Sequence, residues 1–68
     1  MTTVDARGYS CPEPVIMTRK ALMSKEAEYT VLVDNTASRE NVTRYAEHQC
    51  YKVTVAEADG VYTLTLKK

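Results

Sequence analysis

The chain has 68 residues, of which 44% are hydrophobic, and its nine basic and nine acidic residues cancel. This length predicts one small domain over residues 1–68, close to the lower limit for folding without disulfides, metals or partners. The core is too thin for a large buried pocket, and the balanced charge argues against direct binding to nucleic acid or to a membrane.

The cysteine content and the N-terminal residues indicate the cellular compartment of the protein. No signal-peptide pattern follows Met1, and no apolar run is long enough to span a bilayer. The two cysteines lie far apart in the sequence, which argues against a disulfide framework. We therefore expect a protein of the reducing cytoplasm.

A cysteine lies between the first predicted strand and the first predicted helix. Residues 2–6 alternate around Val4 and predict a short strand, after which Arg7-Gly8 predicts a turn. The stretch Ser10-Cys11-Pro12-Glu13-Pro14 follows, and a helix is predicted from Pro12 to about Ser24.

The prolines restrict the backbone conformation and the helix position of the cysteine. Pro12 disfavours the α region for Cys11, so we expect Cys11 to be the N-cap, with Pro12 at N1 and Pro14 at N3. Ser10 as the cap would put Pro14 at N4, where the ring removes the first helical hydrogen bond, so we prefer Cys11.

The position of Cys11 has two interpretations. The positive end of the helix dipole favours a thiolate, whereas two prolines remove N–H donors and Glu13 adds a nearby negative charge. Cys11 is therefore either a reactive thiol or an ordinary residue before a proline-started helix, and we favour the reactive thiol.

In this first helix we expect Val15 and Leu22 to lie in the core, with Arg19 and Lys20 in solvent. Residues 29–33 then give the strongest strand signal, and their apolar character predicts a central strand.

After the break at residues 34–36, Ser38 is predicted to cap a second helix that runs to about Gln49. Val42, Tyr45 and Ala46 share one face of that helix.

Residues 51–56 and 61–66 predict two strands joined by the hairpin signal Asp59-Gly60. The order β-α-β-α-β-β predicts an α/β two-layer sandwich, with two helices on one face of a four-stranded mixed sheet.

Asp5-Ala6-Arg7-Gly8-Tyr9-Ser10-Cys11-Pro12-Glu13-Pro14, followed by Arg19-Lys20-Ala21-Leu22, resembles the TusA-like (SirA/YedF) family of sulfur carriers. Residues 33–42 and 62–66 resemble the same family, especially the YedF-type N-terminal domain. The resemblance implies the same sandwich, with the thiol of Cys11 exposed at the start of the first helix.

The resemblance implies that Cys11 is the catalytic residue, which accepts sulfane sulfur as a persulfide from a donor such as a cysteine desulfurase and relays it to an acceptor protein. It places Glu13, Arg19 and Asp34 at partner-contact positions. Arg7, Gly8, Pro12 and Pro14 would support the site, with Arg7 as the electrostatic neighbour of a persulfide anion.

Two other functions stay open: a non-catalytic binding or regulatory module of sulfur or selenium metabolism, and a redox thiol. The redox thiol is the weakest, because no C-x-x-C partner adjoins Cys11. Whether the chain counts as an enzyme, which would make it a sulfurtransferase, is also open, as is whether it is a stand-alone protein or a fragment of a two-domain one. We expect a monomer.

Cys50 and His48 could join Cys11 as metal ligands, but zinc motifs normally bring two close pairs of ligands. We therefore expect no metal and no cofactor. Cys50 stands where a glycine usually ends a helix, and where YedF-like sequences commonly have one. We expect it to be a strained helix end or a buried small residue, without a catalytic role.

Overall fold

The computed structural model of the chain describes residues 2–10 and 12–68, so the expected exposure of the Cys11 thiol lies outside the described residues. The described elements confirm the predicted order of strands and helices. They are β1 (Thr2–Asp5), α1 (Glu13–Leu22), β2 (Glu28–Val33), α2 (Thr36–His48), β3 (Lys52–Ala58) and β4 (Val61–Lys67).

The strands form one mixed sheet in the order β1-β2-β4-β3. β1 runs parallel to β2, while β4 is antiparallel to both β2 and β3. The apolar strand β2 is therefore central, as its composition predicts. At the middle of the sheet, Val31 lies between Val4 of β1 and Leu64 of β4.

The two faces of the sheet differ in their side chains. Tyr29, Val31 and Val33 alternate along β2 and are fully buried on the face that packs against the helices. On the opposite face, a row of threonines crosses all four strands in register: Thr3, Thr30, Thr65 and Thr54. β-branched hydroxyl side chains suit a sheet face that lies in contact with water.

Helix α1 begins one residue later than predicted. Pro12 is its N-cap, Glu13 its first residue and Pro14 its second, so the expectation of Cys11 as N-cap is wrong. The N–H of Ile16 donates to the carbonyl of Pro12 at 3.1 Å. Pro14 therefore costs no helical hydrogen bond, because the first-turn N–H groups have no intrahelical acceptor.

The buried face of α1 also differs from the prediction. Pro14 and Thr18 are the fully buried residues, and the Thr18 hydroxyl donates to the Pro14 carbonyl at 2.8 Å. Val15 and Leu22 pack against the core only in part. The bond within the helix satisfies the threonine hydroxyl, which allows a polar residue to face the sheet.

Helix α2 begins three residues earlier than a Ser38 cap would allow. Asn35 has an extended backbone and its side-chain oxygen accepts from the Ser38 N–H at 2.8 Å, so the prediction of Ser38 as the cap is wrong. Asn is as effective a cap as Ser, and here it stands at the strand end. Val42 and Ala46 are fully buried on the core face of α2 and Tyr45 is half-buried, as predicted.

The C-terminus of α2 forms a Schellman motif. The N–H of Tyr51 donates to the Ala46 carbonyl and the N–H of Cys50 to the Glu47 carbonyl, each at 3.0 Å. Cys50 has a φ of +68° and is exposed, which confirms a strained helix end and excludes a buried residue.

The hairpin between β3 and β4 is confirmed. Asp59 and Gly60 have φ values of +52° and +78°, as a two-residue type I′ turn requires, and Ala58 pairs with Val61 across it. Within residues 2–10 and 12–68, neither helix has the length and apolar character needed to cross a bilayer.

Replacing Cys50 by Gly should stabilise the fold, because glycine adopts a positive φ without a Cβ penalty. The gain in the free energy of unfolding should be about 1 kcal/mol at most, since glycine also adds freedom to the unfolded chain. Denaturant melts would measure it, with Cys50→Ala as the control that removes the thiol but keeps the Cβ. If Cys50→Gly instead destabilised the fold, the claim that the positive φ of Cys50 is strained would be wrong.

Candidate functional site

The loop after β1 turns back on itself before it reaches the cysteine. The Ala6 N–H donates to the Leu32 carbonyl at 2.8 Å, which extends the pairing of β1 with β2 by one bond. Gly8 then has a φ of +83°, and the Tyr9 N–H donates back to the Ala6 carbonyl at 3.3 Å. A Cβ at Gly8 would meet no atom within 4 Å, so backbone conformation is what requires glycine there.

Two consecutive residues after β2 hold this loop. The Gly8 N–H donates to the Asp34 carboxylate at 2.8 Å. The Asn35 amide donates to the Tyr9 carbonyl at 3.4 Å and to the other carboxylate oxygen of Asp34 at 3.3 Å. Because β1 and β2 are parallel, both segments lie at the same sheet edge, where α/β proteins commonly bind their ligands.

The start of α1 completes the site. The Glu13 N–H donates to the Ser10 carbonyl at 2.9 Å, which joins the first residue of α1 to the end of the loop. Ser10, Pro12 and Glu13 are exposed. Cys11 itself lies outside the described residues, but the backbone on both of its sides is hydrogen-bonded into this surface loop.

Arg7 and Asp5 form an exposed ion pair at the beginning of the loop. The guanidinium donates to both carboxylate oxygens of Asp5, at 2.9 and 2.8 Å, and the Arg7 N–H also bonds to the carboxylate. These bonds lower the pKa of Asp5 to about 2 and raise the pKa of Arg7. The guanidinium of Arg7, which we expected to neighbour a persulfide anion, is therefore paired with the carboxylate of Asp5.

The other predicted site residues lie at different distances from the loop. Asp34 is bonded to it, whereas Glu13 flanks it on the first turn of α1. Arg19 lies near the C-terminal end of α1 and is exposed, as predicted. Asn35 is a site residue that the sequence interpretation missed, although an Asp-Asn pair directly after a strand is a usable signal of loop bonding.

The second thiol lies away from this loop. Cys50 follows the C-terminus of α2, whereas Asn35 caps the N-terminus of the same helix beside the loop. The described part of the chain contains no group of three His, Cys, Asp or Glu side chains that could hold a metal ion. The three-ligand set considered from the sequence includes Cys11, which lies outside the described residues.

The fold and the site define a small two-layer α/β domain with a cysteine-bearing loop at the start of its first helix. The family model described as sulfurtransferase TusA matches residues 2–68. The chain belongs to the TusA family.

Two further proteins are similar to the chain over nearly their whole lengths. One, from Methanocaldococcus jannaschii, is named as a candidate sulfur carrier protein and is 35% identical over 71 residues, which cover 100% of this chain and 95% of that protein. The other is the crystal structure of a SirA-like protein from Desulfitobacterium hafniense. It is 45% identical, with a TM-score of 0.89, and the match covers 98% of this chain and 96% of that one.

The ion pair predicts an acidic titration for Asp5. Its carboxyl group should titrate at a pH of about 2 in the folded protein, and Arg7→Gln should raise that pKa without returning it to its usual value, because the backbone N–H of residue 7 still donates to the carboxylate. The stabilisation from this pair is present above the unfolded pKa and is lost as the pH falls through about 2. NMR titration of the side-chain carboxyl would test this, with Lys52→Gln as a distant control. An Asp5 pKa near 4 in the unaltered protein would contradict the pairing.

Proposed function

We propose that this chain is a sulfur carrier that accepts sulfane sulfur on Cys11 from a donor protein and passes it to an acceptor protein. Membership of the TusA family over residues 2–68 is the observation that carries the proposal. The residues on either side of Cys11 in the sequence support it, because Ser10 and Pro12 are exposed and the preceding Gly8 and Tyr9 are hydrogen-bonded to residues that follow β2.

The proposed transfer balances without an added oxidant or reductant. The Cys11 thiolate attacks the terminal sulfur of a persulfide on the donor, and the sulfur–sulfur bond of the donor breaks. The donor cysteine leaves as a thiolate, and Cys11 now carries the persulfide. One thiolate is consumed and one is released, and the proton on the transferred sulfur travels with it. The same exchange, with Cys11 as the leaving thiolate, delivers the sulfur to the acceptor.

The protein groups divide the remaining tasks. In the proposal, Asp34 and Asn35 hold the loop through Gly8 and Tyr9, so that Cys11 meets the incoming sulfur without first ordering its own loop. Glu13 and Arg19 are exposed on α1 and would contact the partner. A carrier thiol of this kind needs a reducing compartment, in agreement with the cytoplasmic prediction.

The chemistry is tested by loading with a cysteine desulfurase and cysteine, followed by intact mass measurement. The wild type and Cys50→Ser should each gain one sulfur atom that dithiothreitol removes, and Cys11→Ser should gain none. Cys50 is the matched control because it is an exposed thiol outside the loop. A loaded Cys11→Ser, or a wild type that never loads, would replace the carrier role with that of a binding module.

The hydrogen bond that Asp34 accepts can be tested separately from the negative charge that Asp34 carries. Asp34→Ala removes the acceptor of the Gly8 N–H and should slow loading about tenfold, because a misplaced reactive group loses rate. Asp34→Asn keeps an acceptor oxygen without the charge and should load within about twofold of wild type. Rates from timed mass spectra would compare them, with Glu57→Ala as a control for loss of an exposed carboxylate. If Asp34→Asn is as slow as Asp34→Ala, the carboxylate charge contacts the partner.

A further inference from the structure

The two edge strands of the sheet differ in length and in protection. β1 forms one edge with only four residues, and the ion pair of Arg7 with Asp5 lies at its end. β3 forms the other edge, and its seven residues pair with β4 from Lys52 to Ala58 without a bulge. Natural sheets usually shorten, bend or charge an edge strand, because an open edge pairs with other chains. β3 is long and unbent, contains no proline, and carries charges only near its two ends.

The hairpin turn decides which backbone groups of β3 point away from the sheet. The two residues that flank a two-residue turn form a hydrogen-bonded pair, and such pairs alternate along an antiparallel ladder. Ala58 and Val61 flank the turn, so every second residue back along β3 from Ala58 bonds to β4. The residues between them turn their N–H and C=O groups outward. These residues are Val53, Val55 and Glu57.

The side chains beside this edge leave room for a second strand. Val55 lies opposite Leu64 on the face of the sheet that bears the helices, yet it is 41% exposed. An open depression of about 430 Å³ lies between Val55 and α2. On the other face of β3 the residues before the turn are small: Thr54, Ala56 and Ala58. A strand that pairs with this edge would therefore cover an apolar side chain and meet no bulky one.

The edge of β3 is complementary to itself. If two copies of β3 run antiparallel about a two-fold axis at Val55, Val55 faces Val55 of the second copy, and Val53 faces its Glu57. In this register every outward N–H and C=O group of these three residues meets an outward partner. A slip of one residue would set the outward groups against residues that already bond to β4, so the register is specific.

The charges of α2 beside the edge also match themselves. In the depression, Arg39 and Arg44 are balanced by Glu40 and Glu47. The same two-fold axis runs α2 of the two copies antiparallel, so Arg39 at one end of the depression lies toward Glu47 of the second copy. Arg39 is 3.5 Å from Glu40 of its own helix, but an exposed pair of this kind exchanges partners at little cost. Opposite charges therefore meet across the axis.

We propose that β3 pairs with β3 of a second copy of this chain, which joins the two four-stranded sheets in a symmetric dimer. A second copy is favoured over a foreign strand because the backbone groups and the charges of α2 both match themselves about one axis. One strand pair and one helix pair make a small contact compared with the roughly 1,200 Å² or more of stable interfaces, so the dimer should dissociate on dilution. The sequence led us to expect a monomer, because the order of strand pairing decides which strand lies at an edge.

The dimer leaves the loops that precede Cys11 accessible. Each loop follows β1, which lies at the opposite edge of the sheet from β3. The two loops therefore lie at the outer ends of the joined sheet, away from the two-fold axis. Pairing through β3 is thus independent of the proposed sulfur transfer, and each can be tested without the other.

Sedimentation of the chain over a range of concentrations tests the dimer. The average mass should rise from 7.6 kDa toward twice that value as the concentration approaches about 1 mM. Val55→Lys should raise the dissociation constant about tenfold or more, because two lysines would face each other across the axis. Thr3→Lys is the matched control, since Thr3 is an exposed β-branched residue of the other edge strand, and it should dimerise as the wild type does.

Amide hydrogen exchange on the wild type identifies the surface without any substitution. The N–H groups of Val53, Val55 and Glu57 should exchange more slowly as the concentration rises, because they bond to the second copy. The N–H groups of Thr54 and Ala56 bond to β4 in monomer and dimer alike and serve as internal controls. The circular dichroism spectrum of Val55→Lys and its loading by a cysteine desulfurase should match the wild type, since Val55 is exposed and lies on the opposite edge strand from the loop.

Several outcomes would overturn the dimer. The wild type could keep a mass of 7.6 kDa at about 1 mM, or Val55→Lys could dimerise as tightly as the wild type. A dimer in which Val53, Val55 and Glu57 still exchange rapidly would use another surface, and a dimer lost in Thr3→Lys would use β1. If the chain stays monomeric and these three amides become protected only when the desulfurase is added, a strand of that partner occupies the edge instead.

Discussion

The hydrogen bond from the Gly8 N–H to the Asp34 carboxylate is the constraint on which the site depends. Gly8 belongs to the loop after β1 and Asp34 to the link after β2, two segments that the parallel pairing of β1 and β2 brings to one sheet edge. Asn35 adds a second bond to the same loop while its side-chain oxygen caps α2. The start of one helix and the loop before the other are thereby fixed by the same two residues.

Most of the fold follows from sequence pattern. The alternating residues of β2 and β4 predict strands, and Asp59-Gly60 predicts the hairpin turn. Because the connections are short, few ways of pairing the strands are then left. The helix starts were less accurate. The sequence favoured Ser38 and Cys11 as caps, but Asn35 caps α2 through its extended backbone and side-chain oxygen, and Pro12 is the N-cap of α1. Cap preferences are shared among several residue types, so tertiary contacts decide between neighbours.

The sequence indicated candidate site residues but not the contacts that they make. Composition and spacing identified Cys11 as a helix-start thiol, and family resemblance added Asp34 as a partner contact. The bond from Asp34 to Gly8 spans 26 positions, and no local pattern reports such a pair. The bond from Arg7 to Asp5 spans only two, yet the expected role of Arg7 beside a persulfide overlooked it.

The most direct measurement maps the sulfur on the unaltered protein. After loading by a cysteine desulfurase, the persulfide would be trapped with an alkylating reagent, and the tryptic peptides would be sequenced by mass spectrometry. Residues 8–19 contain Cys11 and residues 45–52 contain Cys50, so cleavage at the flanking Arg and Lys residues separates the two thiols. The account predicts a trapped persulfide on the peptide of residues 8–19 alone. A persulfide on residues 45–52, or on neither peptide, would contradict it.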